Sequence, residues 1–147
     1  APVIMVAVDL SPDMEALSHQ LLIAIQRMLI IQPDARVACV NVIKTNRIGI
    51  DPTTTDDGDH LHVSRLVALR AWADDIDLPE DRLTFTILEG PDPGQTITDY
   101  VRKIHVDHVL MGARSHSATR RYLGSVSSHV VAEAPCSVTV IRLPENA

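Results

Sequence analysis

MGARSHSATRRYLGSVSSHVVAEAP, residues 111–135, carries the densest information in this chain. The apolar run just before it, residues 106–111, predicts a short buried strand, with Gly112 as the turn where the strand ends. Gly124-Ser125 opens a predicted helix through His129 and Val131, and the segment between the two glycines is basic, with Arg114, Arg120 and Arg121. In an α/β protein this layout turns backbone N–H groups, hydroxyls and a helix N-terminus toward one anion at the carboxyl edge of a sheet. The stretch has the outline of a phosphate cradle.

The rest of the chain supplies the sheet that such a cradle needs. Residues 3–8 (VIMVAV) form a continuous apolar run, as expected of a strand buried on both faces, and Asp9 stands at its carboxyl end. Ser11-Pro12 starts a helix with Ser as N-cap, along which Leu17, Leu21, Leu22, Ile25, Met28 and Leu29 recur at helical spacing. Residues 35–43 (ARVACVNVI) predict a second buried strand. Residues 44–58 turn polar, with Gly49, Pro52 and a threonine run, and predict a flexible loop longer than most connections in compact domains.

A helix over residues 59–76 follows, then a strand over 82–88 (RLTFTIL), where β-branched and aromatic residues are enriched. A helix carrying Ile97, Tyr100, Val101 and Ile104 leads to the strand over 106–111. A helix from Ser125 to Ala134 and a strand from Ser137 to Leu143 close the chain. Strands alternate with helices throughout, so the fold class is α/β with a parallel sheet in one domain over residues 1–147.

Composition narrows the function. Hydrophobic residues make up 46% of the chain and aromatics 3%, which predicts an aliphatic core. A formal charge of −6 argues against a nucleic-acid surface and against an anionic membrane, while local arginines can still hold one phosphate. No apolar run is expected to cross a bilayer. Cys39 and Cys136 lack Cys-x-x-Cys spacing and no secretory leader is seen, which together predict buried reduced thiols in a cytoplasmic protein. His60 with His62, and His105 with His108, lack a third ligand at metal spacing. No Gly-x-Ser-x-Gly elbow, Walker A segment or Gly-x-Gly-x-x-Gly turn occurs, so binding is better supported than turnover.

The glycine stretch resembles the universal stress protein family, whose nucleotide-binding members carry a glycine, two residues, a second glycine, nine residues, then glycine with serine or threonine. Gly112, Gly124, Ser125 and the following Val126-Ser127 match that pattern, and AEAPCSVTVIR, residues 132–142, is similar to the family's last helix turn and final strand. Ser115 stands at the second glycine, and eight residues rather than nine separate it from Gly124. A β-carbon and a shorter loop both change how closely backbone approaches phosphate. The resemblance runs from VIMVAVDLS to VTVIRL.

What it implies is a single open five-stranded parallel sheet of order 3-2-1-4-5, adenine nucleotide α-hydrolase-like, with helices on both faces. That order sets strands one and four side by side and brings Asp9 and the Gly112 loop to one crevice, where ligands of open α/β sheets bind. The implied function is a cytoplasmic stress-response regulator that binds ATP, with or without Mg. Its nucleotide site would comprise Ala7, Val8, Asp9, Val42, Met111, Gly112, Arg114, Ser115, Gly124, Ser125, Val126 and Ser127.

Several of these residues also have a plainer role. Asp9 either meets a base amino group or ribose hydroxyl, or bonds the turn through Leu10 to Ser11. The backbone of Val42 matches the family position that reads the adenine edge, while its side chain, like those of Val8 and Met111, is ordinary core. For phosphate, Gly112 permits backbone approach, Gly124 lets the chain turn tightly, and Ser125 and Ser127 offer hydroxyls; the plainer roles are a strand-ending turn at Gly112 and an N-cap at Ser125. The arginines make phosphate clamps or surface ion pairs.

The family's dimers imply a homodimer through the last strand, Ser137 to Leu143, which would cover an apolar edge. The alternative reading is a nucleotide-free dimerisation or interaction module. The start at Ala1-Pro2-Val3 without Met and RRYLGSVS, residues 120–127, also resemble stress-protein domains fused to a kinase or transporter, and methionine cleavage or tag removal gives the same start. An enzyme of the α-hydrolase group is a third class, with weak ATP hydrolysis at most.

Overall fold

A computed structural model describes residues 1–45, 56–113 and 123–143. Five strands, β1 (Val3–Ala7), β2 (Arg36–Lys44), β3 (Leu83–Gly90), β4 (His108–Gly112) and β5 (Ser137–Ile141), pair in parallel in the order β3-β2-β1-β4-β5. β1 lies at the centre, and its Ile4, Met5 and Val6 have no exposed surface, which accounts for the unbroken apolar run there.

Side-chain alternation divides the core in two. Val37, Cys39 and Ile43 of β2 meet Leu21, Leu22 and Ile25 of α1 (Glu15–Ile31) and Leu69 of α2 (Asp56–Trp72). On the other face, Val40 and the partly buried Val42 join Ile97 and Val101 of α3 (Pro93–Lys103) and Val130 of α4 (Ser125–Glu133). Trp72 ties the first pair of helices together, its Nε1–H donating to the Ser18 carbonyl at 2.8 Å. α3 and α4 approach closely at Gly94, where a β-carbon would lie 2.8 Å from His129 Cβ.

Several boundaries differ from expectation, each for a local reason. Ser11 precedes a single 3-10 turn, Pro12–Met14, and its hydroxyl makes no cap. The stretch Pro12–Ile31 does reach the length and apolar composition of a membrane span, contrary to the sequence reading, but Leu17, Leu21, Leu22 and Ile25 bury one side of it on the sheet. β2 extends through Lys44 and α2 begins at Asp56, so both take residues from the expected loop over 44–58.

Val106 lies outside β4 because it ends α3. Its N–H donates to the Val101 carbonyl at 3.0 Å, while His105 adopts φ 55°, the left-handed residue that closes the helix. The chain then enters β4 beside β1, with the Val3 N–H held by Asp107 Oδ2 at 2.8 Å. From β1 the sheet grows one way through β2 and β3 and the other way through β4 and β5. The carboxyl ends of β1 and β4 flank the switch point.

Candidate functional site

At that switch point opens a cleft of about 460 Å³, within the usual range for small-molecule sites. Ala7, Val8 and Asp9 line it from the end of β1, Val42 from β2, Met111 and Gly112 from β4, and Gly124, Ser125, Val126 and Ser127 from the start of α4. Ten of the twelve residues expected at the site therefore share one hollow. Arg114 and Ser115 lie outside the described residues, as do Arg120 and Arg121.

The β2 wall owes its chemistry to an asparagine that sequence reading passed over. The Arg36 N–H donates to Pro2 and the Val8 N–H to the Val40 carbonyl, so even-numbered residues of β2 aim their main-chain groups at β1. Thr45 donates instead to Gly90 on the β3 side. Val42 belongs to the even set and lies two residues past the last paired position, Ala7 with Val40. The next rung would end on the Val8 carbonyl, but Asn41 Nδ2 holds that oxygen at 2.7 Å. The Val42 N–H and C=O accordingly face the cleft as a donor and acceptor side by side.

Asn41 is 4% exposed and its Oδ1 accepts from Arg65 Nη1 at 3.0 Å, which brings a guanidinium from α2 to the same wall. Lys44, at the end of β2, also lines the cleft. A polar residue in the middle of VACVNVI was a visible signal for Asn41. Nothing local marks Arg65, which reaches the site only through the packing of α2 on the sheet.

Asp9 fills the plainer of its two expected roles: Oδ1 accepts the Ser11 N–H at 3.0 Å. Its own carbonyl accepts from Ser18 Oγ at 2.8 Å, which fixes the β1 to α1 turn. Asp9 nonetheless lines the cleft, at the end of β1.

At α4, Gly124 rather than Ser125 is the N-cap, and no side chain caps the helix. The N–H groups of its first turn and the positive end of its dipole therefore open on the hollow. Ser127 is 1% exposed and donates its hydroxyl to the Gly124 carbonyl at 3.1 Å, so it serves the turn. Gly124 has φ −65° and ψ 166°, an extended conformation open to any residue, which corrects the expectation of a glycine-dependent tight turn. Gly112 is required for closeness instead: a β-carbon there would lie 2.6 Å from Leu17 Cδ2.

Thiol chemistry is remote from this arrangement. Burial pushes the Cys39 thiol up to about 12, and burial with the nearby Asp107 raises Cys136. Among the described residues no three of His, Cys, Asp and Glu gather to hold a metal ion.

A model of the universal stress protein family matches residues 2–142. The chain belongs to that family. Its fold recurs in solved universal stress proteins. UspA from Lactobacillus plantarum is 26% identical, with 96% of this chain and 97% of that one covered and a TM-score of 0.59. A family protein from Arabidopsis thaliana with AMP bound is 19% identical, with 99% and 94% covered and a TM-score of 0.64. A universal stress protein in complex with cAMP is 14% identical, with 95% and 96% covered and a TM-score of 0.68.

Proposed function

We propose that this universal stress protein binds an adenine nucleotide in the cleft and acts as a cytoplasmic stress-response regulator rather than an enzyme. The observation that carries the reading is the main chain of Val42, turned away from β3 and released from β1 because Asn41 occupies the Val8 carbonyl. An adjacent N–H and C=O complement the adenine edge, where a ring nitrogen accepts and the amino group donates. Asp9 suits the ribose hydroxyls, and the uncapped start of α4 suits phosphate. AMP and cAMP in the two relatives support the ligand class.

ATP, with or without Mg, is the nucleotide we favour. Its longer phosphate chain would run past Gly112 toward Gly124. Calorimetric titration of nucleotide-stripped protein with AMP and ATP tests this directly. Saturable heat with both, ATP the tighter, is expected, with no phosphate release above the buffer rate. No heat and no thermal shift at millimolar ligand would reject nucleotide binding and favour the second reading, a module that works through self-association. That reading draws on β5, an edge strand with a row of outward main-chain groups, and a homodimer through β5 is proposed under either reading.

A further inference from the structure

We infer that Arg65 covers one face of the bound purine, with Asn41 as its positioning residue. The inference rests on the nucleotide reading above and adds to it the residue that closes the base pocket. A base held edge-on by the Val42 main chain lies in the plane of the sheet, as a continuation of β1, with one face toward α1 and α2 and the other toward α3 and α4.

The two faces differ in chemistry. On the α3 and α4 side the cleft is lined by the apolar Val42, Pro93 and Ile97, with the polar Ser125 and Ser127 where α4 begins and Lys44 at the end of β2. Cys39 and Ile43 belong to the core under α1 and α2, so Asn41, between them, lies on that side too. Its Oδ1 is the acceptor for Arg65 Nη1. The amide is itself anchored to the Val8 carbonyl and buried, so the acceptor is rigid and holds the guanidinium beside the place the base would take.

Among the described residues Arg65 pairs with no carboxylate, and with one N–H used on Asn41 its plane is left to stack. A planar, weakly hydrated cation over an aromatic face is a favoured arrangement, and it tolerates any purine. Apolar contact on one face and a guanidinium on the other would enclose the base without further hydrogen bonds.

The test compares adenosine with AMP, using calorimetry on the full chain and on Arg65→Met and Arg65→Lys. Stacking acts on the base alone, so Arg65→Met is expected to weaken both ligands by the same factor, about 10-fold. Arg65→Lys keeps the charge but loses the plane, and it is expected to fall with the methionine variant. Weaker AMP with unchanged adenosine would make Arg65 a phosphate ligand and overturn the proposal. So would unchanged affinity for both, or wild-type affinity in Arg65→Lys. Absence of binding by the wild-type protein overturns the nucleotide reading itself and this inference with it, an outcome distinct from the others.

Discussion

The side-chain amide of Asn41 donates to the main-chain carbonyl of Val8 at 2.7 Å and replaces a rung of the sheet. A strand pair that ended in the ordinary way would use the Val42 N–H for that bond. Exchanging one donor for another leaves Val8 satisfied and releases Val42, so the cleft's hydrogen-bonding edge is created by a residue that need not touch ligand.

Asn41→Leu is therefore expected to act on stability and binding together. The Val8 carbonyl, in a residue 3% exposed, loses its donor, which costs about 1–3 kcal/mol unless Val42 swings back to it. In that event Val42 is lost to the ligand instead. Urea denaturation reads the first cost and AMP titration the second; a variant unchanged in both would show that the exchange of donors has no energetic consequence.

Gly112→Ala tests the packing of α1 over the end of β4. Its new β-carbon would lie 2.6 Å from Leu17 Cδ2, and Leu17 is itself 6% exposed with little room to retreat. Overpacking of this kind costs roughly 1–3 kcal/mol. Adding the same change to Leu17→Ala should cost much less, because the obstructing branch is gone, and denaturation midpoints of the four proteins in the cycle measure the difference. Equal costs in both backgrounds would place the strain elsewhere.

The strands and the residues of the cleft differ in how far sequence reveals them. Apolar runs at residues 3–8 and 35–43 announce buried parallel strands because both their faces are covered, so the sheet was legible, and its order followed from the family resemblance. Asp9, Gly112 and Gly124 were legible as strand and helix ends. Arg65 was not, since its helix is far from the cleft in sequence and only the layer of α2 over β2 joins them. The start of β4 was misjudged because Val106 is apolar for a different reason: it closes α3 behind a left-handed His105, and periodicity cannot tell those two uses of valine apart.

His108 gives the fold a pH dependence with a definite sign. Its Nε2 lies 2.7 Å from Thr139 Oγ1 across β4 and β5, and burial lowers its pKa from the ordinary 6.5. The unfolded chain therefore takes up this proton first as pH falls. Stability from this group is whole above the ordinary value, declines below it, and levels off once the folded ring also protonates. Between about pH 7.5 and about pH 5, wild-type protein should lose more stability than His108→Asn. Thermal melts at the two values decide this, and parallel losses would show that His108 does not contribute.

Val140→Pro distinguishes an edge used for dimerisation from one left to solvent. The Ala113 N–H donates to the Ile141 carbonyl, so residue 141 and its odd-numbered neighbours aim their main-chain groups at β4, while Val138 and Val140 aim theirs outward. Proline at residue 140 removes one outward N–H and no rung to β4, the position in which an edge strand tolerates it. Some packing is lost with the valine side chain, which is partly buried over α3 and α4. The variant should keep its far-UV circular dichroism and sediment as a monomer where wild-type protein sediments as a dimer. A folded variant that remained dimeric would move the interface away from β5, and an ordinary monomer in both would mean that the edge is open, with AMP titration of the two then showing whether the cleft works alone.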